Sequence, residues 1–197
     1  MASKYVVTAA HCLIAKDKEG KPVALGEKFW VVRLGDHNIN TTGETIIPEK
    51  TVKVSKVFTH EKYNVTFNYN DIALLELAEE VDLDVYTPAC MARATDVTTF
   101  DGMMAQVYGW GRTQVNDPGS KLLLEVDVPV VTNEVCNEAW LAAIREKYPD
   151  EEISDFDFID EGQICAGGVE GEDSCKVNHL HFIFLSQSVF RVIVEVL

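Results

Sequence analysis

Basic residues are scarce in this chain. Its 197 residues include 17 Lys and Arg against 32 Asp and Glu, a formal net charge of −15. Phosphate backbones and anionic lipid surfaces are held by clustered positive charge, so this balance argues against nucleic acid or a membrane as partner. A long uncharged apolar run is also missing. The most apolar stretch, Val177 to Leu197, is interrupted by His179, His181, Arg191 and Glu195, and a membrane span needs about 20 predominantly apolar residues. The first residues lack a secretory pattern. Met1-Ala2-Ser3-Lys4 runs directly into the strand-like Tyr5-Val6-Val7, so no signal peptide is read in this chain. Internal repeats and low-complexity linkers are absent as well.

What remains is the composition of a globular protein, 47% hydrophobic and 25% charged. Short apolar or alternating runs are separated by turn residues: Phe29 to Leu34, a run marked by Val52, Val54 and Phe58, Ile72 to Leu77, Ala105 to Trp110, and Leu122 to Val131. Ile72 to Leu77 reads as a buried strand. Asn116-Asp117-Pro118-Gly119-Ser120 is a turn signal. The spacing predicts an all-β barrel or sandwich. One helix interrupts it. Thr132 or Asn133 can cap it, Cys136, Trp140, Ile144 and Tyr148 share a face, and Pro149 ends it.

Two short segments carry chemistry. In Thr8-Ala9-Ala10-His11-Cys12, a histidine follows a strand in a small-residue setting. In Asn70-Asp71-Ile72-Ala73-Leu74-Leu75, a single acid heads an apolar run. An acid entering a buried strand needs a partner, and a histidine acting as a base needs a group to fix its tautomer. Each residue could meet the other's need. The alternative is a satisfied core histidine plus an aspartate that caps a turn.

These two segments, followed by Gly109-Trp110-Gly111-Arg112-Thr113 and Ile164-Cys165-Ala166-Gly167-Gly168 in that order, resemble the trypsin-like (chymotrypsin-fold) serine proteases. The resemblance covers roughly residues 3 to 176. It implies two antiparallel six-stranded β-barrels, both incomplete here: an N-terminal barrel over about 1–96 and a C-terminal barrel over about 97–176. The boundary is expected between Ala94 and Phe100, and the tail 177–197 has no family counterpart. The resemblance also implies a hydrolase, a serine endopeptidase in which His11 is the general base and Asp71 the orienting acid. Asp173, two residues before Cys175, stands where such enzymes place the acid of a pocket for arginine or lysine. The expected partners are therefore protein or peptide substrates with Arg or Lys at the cleaved bond, with protease inhibitors as a second class. The family's Gly-Asp-Ser-Gly-Gly nucleophile segment occurs nowhere, so the catalytic serine and oxyanion hole are missing and this chain is expected to be inactive as written. A non-catalytic homologue that binds or regulates is the alternative.

The resemblance also orders the five cysteines. It pairs Cys136 with Cys165. Cys12 would pair with a cysteine upstream of this chain, Cys175 with one downstream, and Cys90 with a propeptide or upstream module. Together with the sequons Asn40-Thr41-Thr42 and Asn64-Val65-Thr66, this implies a secreted protein. Reduced thiols in a cytosolic protein are the alternative. Leu34-Gly35-Asp36-His37-Asn38 resembles the start of the calcium loop of digestive trypsins, with Asp36, Asn38 and Glu44 as oxygen donors. The loop's later acid has no clear match, because Thr41-Thr42-Gly43 shifts the register. No metal and no cofactor is therefore assigned. His37 and His60 read as structural or surface residues. The acid-rich stretch Asp150 to Glu161 reads as a solvated loop, or as one that attracts basic residues flanking a cut bond.

Overall fold

The computed structural model describes residues 3–66, 68–89, 100–113, 118–149, 159, 163–168 and, for the backbone alone, 182–185. Its strands are β1 (Tyr5–Thr8), β2 (Ile14–Lys16), β3 (Pro22–Ala24), β4 (Val31–Leu34), β5 (Lys50–Thr59), β6 (Ala73–Leu77), β7 (Met104–Gly109), β8 (Leu124–Val131), β9 (Cys165–Ala166) and β10 (Phe182–Leu185). One α-helix, α1 (Asn133–Lys147), follows β8. The all-β expectation holds.

The first sheet has the order β1-β6-β5-β4, with antiparallel neighbours. Alternation decides which side chains it buries. In β6, Ala73, Leu75 and Leu77 are buried, while Leu74 is 41% exposed. The same period in β4 and β5 turns Val32, Leu34, Val52 and Val54 inward, against Val6, Ala10, Leu13 and Trp30. The strand expected at Ile72 to Leu77 forms as Ala73–Leu77, buried along one face. The run is apolar on both faces, but among the described residues only one face has a partner layer, and Ile72 itself is 44% exposed. A register shift in β5 between Val54 and Lys56 is braced by Ser55, whose hydroxyl donates to the carbonyls of Glu76 and Leu77.

The hairpin β2–β3 carried no strand signal in the sequence, because it is short and its turn is charged. Its turn is held locally. Asp17 Oδ1 accepts from the backbone N–H of Glu19 and Lys21, both at 2.8 Å, and Gly20 takes φ +80°.

The second sheet has the order β10-β7-β8-β9. Ala105, Val107, Val128 and Val130 form its core. The tail had no expected place, yet its backbone at Phe182–Leu185 pairs antiparallel with β7. Helix α1 starts at Thr132, whose side chain accepts from Val135 N. None of its residues is buried, and Trp140 on the expected apolar face is 54% exposed. Cys136 in α1 and Cys165 in β9 form a disulfide with their Cα atoms 6.4 Å apart.

The two sheets are joined through the segment after β4. Asn38 bridges Leu122, Ile39 N donates to Lys121 O, and Leu123 N donates to His37 O. Trp110 Nε1 donates to the same His37 carbonyl at 3.0 Å. His37 is therefore structural through its backbone. The expected barrel boundary at residues 94–99 lies outside the described residues, as do Cys90, Asp173, Cys175 and nearly all of the acid-rich stretch.

Candidate active site

The register of the first sheet brings the site together. Thr8 of β1 lies opposite Ala73 of β6. The chain leaves β1 into a single 3-10 turn, Ala10–Leu13, that presents His11. Asp71 arrives two residues before β6 begins. Residues sixty apart in sequence therefore meet beside one end of the sheet.

The approach to Asp71 is a self-braced loop. Asn68 and Asn70 both take φ 55°, a region that asparagine tolerates better than most residues. Asn70 Nδ2 donates to Lys62 O, Tyr63 Oη pairs with Asn68 Oδ1, and His60 Nδ1 accepts from Lys62 N. His60 is thus a loop brace. Asn70 also acts through its main chain. Its backbone carbonyl accepts from Ile72 N, a tight turn that aims the intervening Asp71 back at β1.

Asp71 holds His11 at two points. Its Oδ1 accepts from the His11 backbone N–H at 2.8 Å, and its Oδ2 lies 2.6 Å from His11 Nδ1. The main-chain bond fixes where the residue sits, and the ring bond fixes which way the imidazole faces. The other nitrogen, Nε2, points away from the acid and lies 3.4 Å from Cys12 Sγ. The hydrogen bond to Asp71, and then that to Cys12, push the His11 ring up from 6.5 to about 10. Burial pushes the Asp71 carboxyl up, but the His11 ring and backbone hydrogen bonds outweigh it and hold the carboxyl below its ordinary range. Nearby Tyr63 is raised by burial, and further by the charges of Asp71 and Cys12. The alternative of a core histidine does not fit, because the His11 side chain is 48% exposed.

This is an oriented imidazole with one nitrogen committed to a carboxylate and the other facing outward. The chain matches the trypsin family model over residues 1–178. It belongs to the trypsin family. It is 31% identical over 186 residues to a CLIP domain-containing serine protease of Bombyx mori, covering 89% of this chain and 46% of that protein. A venom protease of Bombus pensylvanicus is 32% identical over 178 residues, covering 88% and 62% respectively. Trypsin eta of Drosophila melanogaster is 31% identical over 172 residues, covering 87% and 55%. The chain thus spans less than two thirds of these relatives' length. The family is one of hydrolases with the chymotrypsin fold, and it acts on proteins. Among the described residues no helix is long and apolar enough to cross a membrane.

A second group of this trypsin-family chain is acidic. Asp36, Glu44 and Glu49 place carboxylate oxygens within 4.8 Å of one another. Asp36 is 1% exposed, and neither of its carboxylate oxygens has a hydrogen-bond partner. Arg33 Nε stands 2.9 Å from Asp36 Oδ2 and offsets its charge without hydrogen-bond geometry. The loop is shaped for these acids. Asn38 N donates to Glu44 Oε1 and Gly43 N to Glu49 Oε1, each at 2.9 Å. Gly35 takes φ +73°, where a Cβ would sit 2.9 Å from the Pro48 carbonyl. Arg33 Nη2 also lies 3.7 Å from Glu49 Oε2, so a guanidinium already balances two of the three acids; a hard cation with oxygen ligands, such as calcium, would share the group with that guanidinium. Asp36, Glu44 and Glu49 would hold it, and its effect would be to stiffen the loop that joins the two sheets. Sequence spacing singled out Asp36 and Glu44 but not Glu49. Only the fold of the loop between β4 and β5 returns Glu49 to the group.

Proposed function

We propose that this chain carries the base-and-acid half of a secreted serine endopeptidase that cuts after arginine or lysine. The observation that carries the reading is the Asp71–His11 pair, whose remaining nitrogen is free of the carboxylate. In that role Nε2 of the neutral form of the ring takes the proton from a serine hydroxyl as it attacks the scissile carbonyl, then delivers it to the departing amine. Asp71 stabilises the imidazolium formed between those steps. Asp173 is the proposed acid of the pocket. A carboxylate in a narrow pocket favours a guanidinium or ammonium through charge-assisted hydrogen bonds, and a neutral side chain leaves it unpaired.

The nucleophile is supplied by a Gly-Asp-Ser-Gly-Gly segment that the 197 residues do not contain, so the chain by itself is expected to cleave no peptide. Cleavage of an arginine peptide by the chain, abolished in His11→Ala, would refute that. The positive test appends the family's nucleophile segment after Lys176 and an activating N-terminus before β1. Cleavage after arginine and lysine is expected, lost in His11→Ala and redirected in Asp173→Ser. Preference for phenylalanine, or arginine cleavage indifferent to Asp173→Ser, would overturn the specificity. A non-catalytic binding role is the second reading, but a binding surface has no chemical need for an acid-oriented imidazole.

A further inference from the structure

The loop that aims Asp71 carries its own point of attack. Lys62 is exposed, and its carbonyl accepts from Asn70 Nδ2 at 3.2 Å. On the other side of the same peptide bond, Tyr63 packs against the first core, and its Oη pairs with Asn68 Oδ1 at 3.1 Å. The Lys62–Tyr63 bond therefore ties down both asparagines that shape the approach to Asp71. Exposed polar loops are preferred sites of proteolytic nicking. A protease that cuts after lysine meets this bond on every copy of itself.

Two residues beyond Lys62 stands the sequon Asn64-Val65-Thr66. All three residues are exposed. Asn64 N donates to Tyr69 O at 3.0 Å, which anchors the main chain of the sequon to the strand of loop leading into Asp71. Asn64 Oδ1 accepts from Thr66 N at 2.9 Å, an Asx turn that holds the tripeptide compact at the surface. The other sequon, Asn40-Thr41-Thr42, has Arg33 as its nearest basic residue, so no bond of this kind lies beside it.

We propose that Asn64 is an N-glycosylation site, and that its glycan guards the Lys62–Tyr63 bond from cleavage after lysine. Proteolytic sites are concave clefts that take in the residues on both sides of the cut bond. A branched sugar on the second residue past that bond does not fit in one. The guard deepens the proposed reading of a secreted, lysine-cutting chain and rests on it.

Both steps balance without any redox partner. In the modification, Asn64 Nδ2 forms a bond to the anomeric carbon of a lipid-diphosphate oligosaccharide. The bond from that carbon to the diphosphate oxygen breaks, the lipid diphosphate leaves with the electron pair, and Nδ2 gives up one proton. In the cut that the glycan prevents, water adds across the Lys62–Tyr63 bond and leaves a carboxylate on Lys62 and an ammonium on Tyr63. Asn70 then loses its amide acceptor next to Asp71.

The test uses the full chain made behind a secretion leader in eukaryotic cells. It is recovered from both the medium and the secretory membranes, so export does not decide the result. Mass spectrometry of the Asn64 peptide should show a glycan that peptide N-glycosidase removes, leaving aspartate. Thr66→Ser should keep the glycan and Thr66→Ala should lose it. Both variants retain the residue 66 N–H that closes the Asx turn, so they separate the sugar from the shape of the loop. A lysine-specific endoprotease is then added, and its cuts are timed peptide by peptide. The cut after Lys62 should be at least about tenfold faster in Thr66→Ala than in wild type or Thr66→Ser. The cut after Lys28, also exposed, should be the same in all three. An unmodified Asn64 peptide in the wild type overturns the proposal. So does an unchanged rate after Lys62 in Thr66→Ala, or a rate after Lys28 that rises equally. The cleavage is supplied from outside, so the two readings fail separately. A guarded Lys62 in a completed enzyme that cuts no peptide would sink the protease reading alone. An unguarded Lys62 in an active one would sink only the guard.

Discussion

Replacing Asp71 with asparagine should return the His11 ring most of the way to its ordinary titration. The substitution keeps the shape of the side chain and removes its charge. In the folded protein the ring stands at about 10 against 6.5, first because of the Asp71 hydrogen bond and then because of Cys12. A shift of that size corresponds to roughly 5 kcal/mol at about 1.4 kcal/mol per unit. The His11 side chain is 48% exposed, however, and solvent screening brings the expected loss of stability down to about 1–2 kcal/mol. For a chain of this size that lowers Tm by about 2–8 °C. The pH dependence has a definite sign. The raised histidine contributes fully below pH 6.5 and loses its contribution as pH rises through about 10. The lowered carboxyl of Asp71 contributes above its ordinary 3.8 and loses its contribution as pH falls through the lowered value. Wild type and Asp71→Asn should therefore differ most between about pH 4 and 6.5 and converge towards pH 10. The assay is an NMR titration of the ring protons, with His11 assigned through His11→Gln, beside thermal melts across the same range. A wild-type midpoint near 6.5, or one that Asp71→Asn leaves in place, would refute the reasoning.

Millimolar calcium should raise the melting temperature of the wild type and leave Asp36→Asn unmoved, because the substitution removes the buried charge of the acidic group; equal shifts in both would remove the loop as the site. Cys136→Ala should cost about 3.5 kcal/mol in the chain-entropy model, since the cysteines enclose a separation of 29 residues, and an unchanged melt would show that the bond does not constrain the unfolded chain. Thr132→Ala should destabilise by about 1 kcal/mol, because Thr132 caps α1 at Val135 N; denaturant melts with an unchanged midpoint would contradict it.

The sequence alone determined the class of fold and the pair at the site. Period-two alternation, as in Glu125-Val126-Asp127-Val128, is a local property, and so are turn residues and a capped helix. His11 and Asp71 stood out because a polar group beside a small-residue or apolar segment demands a partner. Tertiary structure decided what depends on contacts between distant residues. It buried one face of the strand at Ile72 to Leu77 and left Leu74 on the other 41% exposed. It returned Glu49 to Asp36 and Glu44 across a loop whose register could not be counted by spacing. It laid Phe182–Leu185 along β7, a pairing set by an available sheet edge and invisible in the tail's own residues. Above all it set Cys12 at the outer nitrogen of His11. The sequence shows the two as neighbours, but only the 3-10 turn and the grip of Asp71 on the ring fix which nitrogen the thiol meets.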